Sequence, residues 1–238
     1  MPDILLSVVV PAFNEEQLLE KFLIHTYASL PANSEIIVVD GGSSDKTYQL
    51  ATSFSEKHSN IQVIQSRKGR ALQMNTGADR AKGQYLLFLH VDTFLPNSFP
   101  SGFYQWAEFK PAWGFASLKI AGDEIWCAII SAGINLRTRI SAGASGDQAL
   151  VVRSDIFSEV LGYKKLALME DIDLSYRLRR RNKVKRLPLK VETSGRRWRE
   201  QGVFRTIVLM WFLRIGFLLG VCPEKLAPLY RTNRERKD

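Results

Sequence analysis

Two side chains that can bind a metal ion or move a proton stand at the end of an apolar run. The run reads YLLFLHVDT from Tyr85 to Thr93, and its apolar part stops at His90 and Asp92. Residues two apart on a strand point to the same face of the sheet, so this imidazole and this carboxylate would lie on the same face. Such a pair suits a metal site, a hydrogen-bonded pair or an ordinary strand end, and the run alone leaves all three open.

Other polar residues also follow apolar runs. Asp40 closes the run EIIVVD, and Asn14 and Glu15 come after the run that Pro11 closes. A carboxylate at a strand end can accept hydrogen bonds from a uracil N–H or a ribose hydroxyl. Aspartate also caps turns and helices, which is the simpler interpretation of the nearby Asp45.

The first ninety residues alternate between strands and helices. Strands are predicted at 4–10, 35–40, 61–65 and 84–89, and helices at 14–30, 45–57 and 69–83. Continuous apolar strands separated by helices predict an α/β fold with a mostly parallel sheet covered on both faces. Ligands of such sheets lie beyond the carboxyl ends of the strands, which is where the acidic residues fall.

The second half of the chain is less regular. Prolines interrupt it after the fourth strand, and helices are predicted at 123–140, 154–162 and 169–182, with a strand at 147–153. The helix at 169–182 begins with Glu170 and Asp171 and ends in arginines, as the helix macrodipole favours. We divide the chain into a domain at 1–195, with halves at 1–95 and 96–195, and a basic and apolar helical extension at 196–238.

The composition favours an anionic partner. The chain has 238 residues and a net charge of +9, which suits a nucleotide, a membrane surface or a nucleic acid. Its aromatic residues lie mainly in apolar runs and do not alternate with Lys and Arg, so we expect no nucleic-acid binding. Neither a G-x-G-x-x-G sequence after a strand nor a G-x-x-x-x-G-K-[ST] sequence is present, which disfavours a dinucleotide site and an NTPase loop.

The N-terminal residues and the cysteines bear on the cellular compartment of the protein. The segment MPDILLSVVVPAF lacks a basic start and a long apolar run, so it is not expected to be a signal peptide. Cys127 and Cys222 both lie in apolar sequence and are predicted to be buried free thiols. We therefore expect a cytoplasmic protein, with possible peripheral contact at the inner face of the membrane.

Four motifs carry a family resemblance. VVVPAFNEE, IIVVDGGSSDKT, LHVDT and MEDIDLSYRLRR occur in this order between residues 4 and 190, and together they resemble the inverting glycosyltransferases of family 2. The further pattern GRALQMNTGA, FLHVDT, GDQ and SGRRW resembles a bacterial subgroup associated with radical-SAM and selenodomain proteins. The resemblance implies the GT-A fold: a nucleotide-binding, mostly parallel sheet flanked by helices, an irregular acceptor-side half and an apolar C-terminal helix.

The resemblance also implies a nucleotide-sugar donor that binds with Mn²⁺ or Mg²⁺. A metal ion would reverse the repulsion between an acidic site and a diphosphate. In the family pattern, Asp92 is the metal ligand, Asp171 is the base that deprotonates the acceptor, and Glu170 supports Asp171 or helps to bind the acceptor. The predicted donor site comprises Pro11, Phe13, Glu15, Asp40, Arg70, Asn75, His90, Val91, Arg197 and Trp198.

Three of these assignments keep an alternative. His90 replaces the first aspartate of the family's Asp-x-Asp motif, and it is either a metal ligand or a hydrogen-bonding neighbour. Arg70, or Lys68 beside it, would touch the diphosphate or simply begin a solvated helix. The family's Q-x-x-R-W spelling is absent, so Arg197 and Trp198 either close over the donor or belong to a membrane-facing basic patch.

The apolar segment at 204–223 allows several structures. Arg214 divides it into two short apolar runs, and an arginine at the centre of a spanning helix costs about 2.5 kcal/mol or more. Core packing, a homodimer contact and a helix lying in a membrane interface remain open, with a span disfavoured.

The expected function is therefore glycosyl transfer with inversion. The donor is expected to be a UDP-sugar, and the acceptor is an unknown hydroxyl compound, either a lipid or a small molecule. One alternative is a nucleotidyltransferase that makes nucleotide sugars, although the glycine-rich, basic loop typical of such enzymes is missing after the first strand. A second alternative is a non-catalytic basic module that binds membranes.

Overall fold

The apolar runs of the first half form the centre of one sheet. The computed structural model describes residues 4–141 and 143–230, and within them six strands pair in the order β3-β2-β1-β4-β8-β6. The strands are β1 (Leu6–Ala12), β2 (Ser34–Asp40), β3 (Ile61–Gln65), β4 (Tyr85–Phe88), β6 (Trp113–Gly114) and β8 (Leu150–Arg153). The first four strands are parallel, while β8 runs antiparallel to both β4 and β6.

Three short strands form a small second sheet. It comprises β5 (Thr93–Phe94), β9 (Lys190–Thr193) and β7 (Ser117–Ile120), in that order. The helices are α1 (Leu19–Ala28), α2 (Thr47–Ser55), α3 (Arg70–Ala78), α4 (Phe99–Ala107), α5 (Ile125–Ser141), α6 (Ser154–Glu159), α7 (Glu170–Arg181), α8 (Arg196–Gln201), α9 (Val203–Leu218) and α10 (Pro223–Tyr230). One 3₁₀ turn, Gly146–Gln148, precedes β8.

The sheet is buried on both faces, as the continuous apolar runs predict. All seven residues of β1 and all seven of β2 are buried. Val8 and Val10 point into one hydrophobic core, and Val9 points into the other with Ile37. This alternation between two cores is the packing of a parallel sheet covered by helices on each side, and it confirms the predicted fold class.

The first helix begins later than the sequence predicts. Asn14 was expected to cap a helix over 14–30, but α1 begins at Leu19. Asn14 adopts a left-handed backbone (φ 53°), and its side-chain oxygen accepts a hydrogen bond from the Ser44 N–H. The residues that follow β1 are therefore held by the loop after β2, and a single turn that starts at Glu15 leads into α1.

The C-terminal extension packs only part of its apolar surface. On α9, Leu213 is buried in a small cluster with Met169, Ile172 and Leu226. Many other apolar side chains of this helix are exposed, including Phe204, Trp211, Phe212, Ile215 and Leu218. No helix within the described ranges is both long and apolar enough to cross a membrane.

The cysteines divide between core and surface. Cys127 is a buried free thiol, as predicted, whereas Cys222 is an exposed one. Cys222 lies between α9 and α10, where its thiol contacts the Glu224 carboxylate at 2.6 Å. The prediction for Cys222 was wrong because the apolar residues around it lie largely at the surface.

Candidate active site

The loops after β1 and β2 form one connected wall at the carboxyl edge of the sheet. The Asn14 N–H donates to Ser43 Oγ at 3.0 Å, and the Glu15 N–H donates to Thr47 Oγ1 at 2.7 Å. Asp45 accepts hydrogen bonds from the N–H groups of Glu16 and Thr47, so it fixes the start of α2, as the capping interpretation predicts. The wall places Phe13 and Glu15 beside the end of β2.

Asp40 is buried and shapes the turn that follows it. Its carboxylate accepts hydrogen bonds from the Gly42 N–H at 3.0 Å, the Ser43 N–H at 3.1 Å and the Ser43 hydroxyl at 2.5 Å. Gly42 has φ +80°, a conformation that glycine adopts without steric cost. In this structure Asp40 therefore fixes the loop, and its contact with a nucleoside remains a prediction.

Gln73 is a site-forming residue that the sequence analysis overlooked. Its side-chain amide donates to the backbone oxygens of Ala12 and Val39, both at 2.8 Å, and so ties the ends of β1 and β2 together. Its side chain also lies against Gly41, where an added Cβ would be 3.0 Å from the amide nitrogen. A glutamine in a helix is usually at the surface, and only its position on the buried face of α3 marks it.

His90 and Asp92 lie at the carboxyl end of β4, within a group of charged side chains. Burial and the neighbouring Arg70 guanidinium lower the pKa of His90, although Asp147, Asp92 and Asp171 act in the opposite direction. The imidazole is therefore held in its neutral form at physiological pH. The next residue, Val91, is buried and points into the hydrophobic core, so only its backbone remains available to a donor.

Asp147, in the 3₁₀ turn, adds a carboxylate to this group. Loss of surrounding water, followed by repulsion from Asp92, raises the pKa of its carboxyl group. Asp147 is the aspartate of the motif GDQ, and it interacts electrostatically with His90, Arg70 and Asp171. Negative charge therefore accumulates around Asp92.

Asp171 is held in one orientation at the first turn of α7. Its Oδ2 accepts a hydrogen bond from the Gly146 N–H at 2.5 Å, and its Oδ1 accepts one from the Ile172 N–H at 2.8 Å. The Cα of Gly146 also packs against the His90 ring, since an added Cβ would collide with His90 Nε2. Gly146 therefore links the predicted base to the metal motif.

A Gly146→Ala substitution should lower sugar transfer by about 10- to 100-fold, because the methyl group would displace the His90 ring and the Asp171 carboxylate. The measurement is the rate of nucleotide release with donor and acceptor mixtures. Gly133→Ala, at an open position of α5, is the matched control and should leave the rate unchanged. Equal rates in the two variants would show that the contact between Gly146 and His90 is unimportant.

Glu170 is buried beside Asp171. Burial, together with the negative charge of Asp171, raises the pKa of Glu170 to about 7, although Arg70 acts in the opposite direction. The folded protein thus holds this proton more tightly than the unfolded chain does. The contribution of Glu170 to stability is complete below about pH 4.5 and is lost as the pH rises through about 7.

We accordingly expect the Glu170→Gln variant to lose less stability than the parent protein between pH 5 and pH 8. The difference should approach about 3 kcal/mol in the free energy of unfolding, and denaturant titrations at the two pH values measure it. Glu159→Gln serves as the control, because Glu159 forms an ion pair with Arg181 at the surface. Parallel pH dependence in parent and Glu170→Gln proteins would contradict the buried, protonated state.

The basic donor residues are partly brought together. Tyr230, Glu170 and Asp147 outweigh the loss of water around Arg70 and raise its pKa, so Arg70 stays cationic in the acidic group. Lys68 lies 3.9 Å from the centre of the Phe13 ring, which places a second cation at the β1 loop. Both residues are therefore available to a diphosphate.

Three predicted donor residues have other contacts. The Asn75 amide donates to the Tyr163 carbonyl at 2.8 Å and accepts from the Tyr163 N–H at 2.9 Å, so in this structure it holds a backbone segment, and its contact with a nucleotide remains a prediction. Trp198 is partly buried and packs against the main hydrophobic core. The Arg197 guanidinium lies 3.9 Å from the centre of the Tyr230 ring and reaches the site only through Tyr230.

Known proteins resemble the first half of the chain in sequence. The sequence model described as Glycosyl transferase family 2 matches residues 7–117. The chain is 33% identical over 110 residues to "Glycosyltransferase GlyG" of Streptococcus pneumoniae serotype 4, covering 45% of this chain and 36% of that protein. It is 39% identical over 105 residues to a "Dolichyl-phosphate beta-glucosyltransferase" of Drosophila melanogaster, covering 38% of this chain and 32% of that protein. The matches thus span about a third of the length of these relatives.

Solved structures resemble most of the chain. S. aureus TarS 1-349 in complex with UDP-GlcNAc has a TM-score of 0.65 at 18% identity, covering 80% of this chain and 58% of that one. The mannosyltransferase PcManGT from Pyrobaculum calidifontis, in complex with GDP-Man and Mn²⁺, has a TM-score of 0.62 at 17% identity, covering 79% and 56%. At such identities the likeness shows the fold alone. The family match and the named relatives support the assignment of this chain as a glycosyltransferase. Residues 7–117 match the model of family 2 glycosyltransferases, and the α/β fold resembles that of GT-A enzymes.

Proposed function

We propose that this protein transfers a sugar from a nucleotide sugar, which we take to be a UDP-sugar, to an acceptor hydroxyl with inversion at the anomeric carbon. The observation that carries the proposal is the fixed Asp171 carboxylate beside the His90–Asp92 end of β4. The family match at 7–117 supports glycosyl transfer but stops before Asp171, so the role of this residue rests on its geometry and on its motif.

In this mechanism Asp171 acts as the general base. As the acceptor oxygen attacks the anomeric carbon, Asp171 takes the hydroxyl proton, and the bond to the diphosphate oxygen breaks with its electron pair. The hydrogen bonds from Gly146 and Ile172 hold the carboxylate in place before the acceptor arrives. Glu170 contacts no substrate in this scheme and acts by setting the charge next to Asp171.

The donor would occupy the carboxyl edge of β1, β2 and β4. The loop with Pro11, Phe13 and Glu15 borders the base and ribose, with Asp40 at its inner end. Lys68 and Arg70 lie where a diphosphate would continue from there, and their positive charge offsets its charge. The structural neighbours with UDP-GlcNAc and GDP-Man support a donor of this class.

A divalent cation suits the acidic group around Asp92. Among the described residues no three His, Cys, Asp or Glu side chains form a metal site on their own. Mg²⁺, however, is usually held by one or two carboxylates together with substrate phosphates. Burial, followed by repulsion from Asp92, raises the pKa of Asp147, and a cation beside the two carboxylates would relieve this repulsion. Asp92, assisted by Asp147, would therefore hold Mn²⁺ or Mg²⁺, and the ion would stabilise the charge on the leaving diphosphate.

A nucleotide-sugar panel tests the proposal. Thermal unfolding would be recorded with UDP- and GDP-sugars, each with and without Mn²⁺. A ligand bound at 100 times its Kd stabilises the folded state by about 2.7 kcal/mol, so the correct donor should raise the melting temperature clearly. A metal-dependent shift with at least one nucleotide sugar is the expected result. No shift with any member, with or without metal, would count against a donor site.

A further inference from the structure

Two arginines from distant parts of the chain lie on one cavity, and both interact electrostatically with Asp171. Arg137 lies on α5 and Arg214 on α9, and both are half-buried. Arg137 Nη2 and Arg214 Nε are inaccessible to solvent, and neither has a hydrogen-bond partner in the described part of the chain. Arg137 Nη1 donates to the Gly143 carbonyl at 3.2 Å, which orients the group without neutralising it.

This arrangement is electrostatically costly without a ligand. Burial, together with the positive charge of Arg214, lowers the pKa of Arg137 to about 10. Burial also lowers the pKa of Arg214, and Asp171 is the strongest opposing charge for both residues. Neither guanidinium forms an ion pair within 4 Å in the described ranges, so Asp171 acts on them only at a distance. A buried guanidinium normally has a paired anion, and here the partner is missing.

A cavity of about 160 Å³ lies between these arginines and an apolar wall. The wall is made by Ile172 and Tyr176 of α7 and by Trp211, Ile215, Phe217 and Leu218 of α9. Trp211 and Leu218 are 55% and 63% exposed, so the cavity opens onto the apolar surface of α9. The cavity thus has a cationic end near Asp171 and an apolar end at the surface.

We propose that this cavity binds the acceptor, and that the acceptor carries an anionic group, a phosphate or a carboxylate, on an apolar chain. The inference rests on the proposed function, because Asp171 beside the arginines is the base that would deprotonate the acceptor. The anionic group would pair with the guanidinium groups of Arg137 and Arg214, both of which line the cavity. The apolar chain would lie against Trp211 and Leu218, and this explains why α9 keeps so many exposed apolar side chains.

Isothermal titration with simple amphiphiles tests the site without a donor. Decyl phosphate and decanoate, both below their micellar concentrations, represent the two anionic groups. Decanol lacks the charge, and inorganic phosphate lacks the chain. We expect at least one anionic amphiphile to bind about tenfold or more tightly than both decanol and inorganic phosphate, since a charge-assisted hydrogen bond and the apolar contacts each contribute. The tighter of the two amphiphiles identifies the anionic group.

The arginine variants assign the binding to this cavity. Arg137→Gln and Arg214→Gln should each weaken binding of the anionic amphiphile by about tenfold or more and leave decanol unaffected. Arg139→Gln on α5 and Arg205→Gln on α9 are exposed, matched controls that should bind like the parent protein. Because each test variant also relieves a repulsion, it should unfold at the parent's temperature or above, which guards against a folding defect.

Several results would overturn the inference. Equal binding of decanol and the anionic amphiphiles would show an apolar surface without an anion site. Equal binding of inorganic phosphate would show an anion site without an apolar subsite. A loss of affinity in the controls as large as in the test variants would show non-specific charge attraction.

Donor binding separates this inference from the proposed function. If the parent protein binds a nucleotide sugar with Mn²⁺ but does not distinguish the amphiphiles, the acceptor inference fails alone. If it binds the amphiphile through the arginine pair but no nucleotide sugar, the proposed function fails, and the acceptor role fails with it.

Discussion

Asp171→Asn is expected to lower the rate of sugar transfer by about 10²- to 10⁴-fold, because an amide has the shape of the carboxylate but cannot take the acceptor proton. The Asn side chain can still accept a hydrogen bond from the Gly146 N–H, so the turn at Gly146–Gln148 should remain in place. Donor binding should be close to that of the parent protein. Steady-state nucleotide release, with donor affinity measured separately, tests both statements.

Asp155→Asn is a closely matched control for this substitution. Asp155 is the second residue of α6, as Asp171 is of α7, and each carboxylate accepts a hydrogen bond from the next N–H group. Asp155 is exposed and pairs with Arg153 at the surface, so its replacement should cost little stability and no activity. Full activity in Asp171→Asn would remove Asp171 from the mechanism.

Asp92→Asn is expected to abolish the metal dependence of donor binding and to lower transfer by about 10²-fold or more. The carboxylate is the protein's main contribution to a cation shared with the diphosphate, and its loss leaves the leaving-group charge poorly compensated. The measurement is nucleotide-sugar affinity with and without Mn²⁺ in parent and variant proteins.

The exposed Asp79, at the end of α3, provides the control for Asp92. Asp79→Asn removes the same charge from the surface and should keep the metal dependence of the parent protein. If Asp92→Asn also keeps it, the metal lies elsewhere or takes no part, and Asp92 is then an ordinary strand-end residue.

The central sheet was predictable because its information is local. β1, β2 and β4 are short apolar runs, each followed by a polar residue or a loop, and burial on both faces follows from the absence of alternation. β3 is an edge strand with two glutamines, and only its first residue is buried. The start of α1 was not predictable in the same way. Asn14 has the right residue type for a helix cap, but a partner 30 residues away, Ser44, takes its side-chain oxygen.

The same distinction applies to the candidate site. The sequence predicts that His90 and Asp92 lie at the carboxyl edge of the sheet, and the structure places both there. They lie in the turn between β4 and β5, however, and not on one strand as their spacing suggested. Gln73 was missed because its partners, Ala12 and Val39, belong to two other elements. The pairing of Arg137 with Arg214 depends on how α5 and α9 pack. From the sequence, Arg214 is visible only as the charge that interrupts an apolar segment.

The identity of the released products tests the central claim most directly. The parent protein and Asp171→Asn would be incubated with nucleotide sugars, Mn²⁺ and a mixture of candidate acceptors, and the products identified by mass spectrometry. We predict a nucleoside diphosphate and a glycosylated acceptor from the parent protein, and neither above background from the variant. Pyrophosphate formed from a nucleoside triphosphate and a sugar phosphate, with no transfer from any nucleotide sugar, would contradict the account.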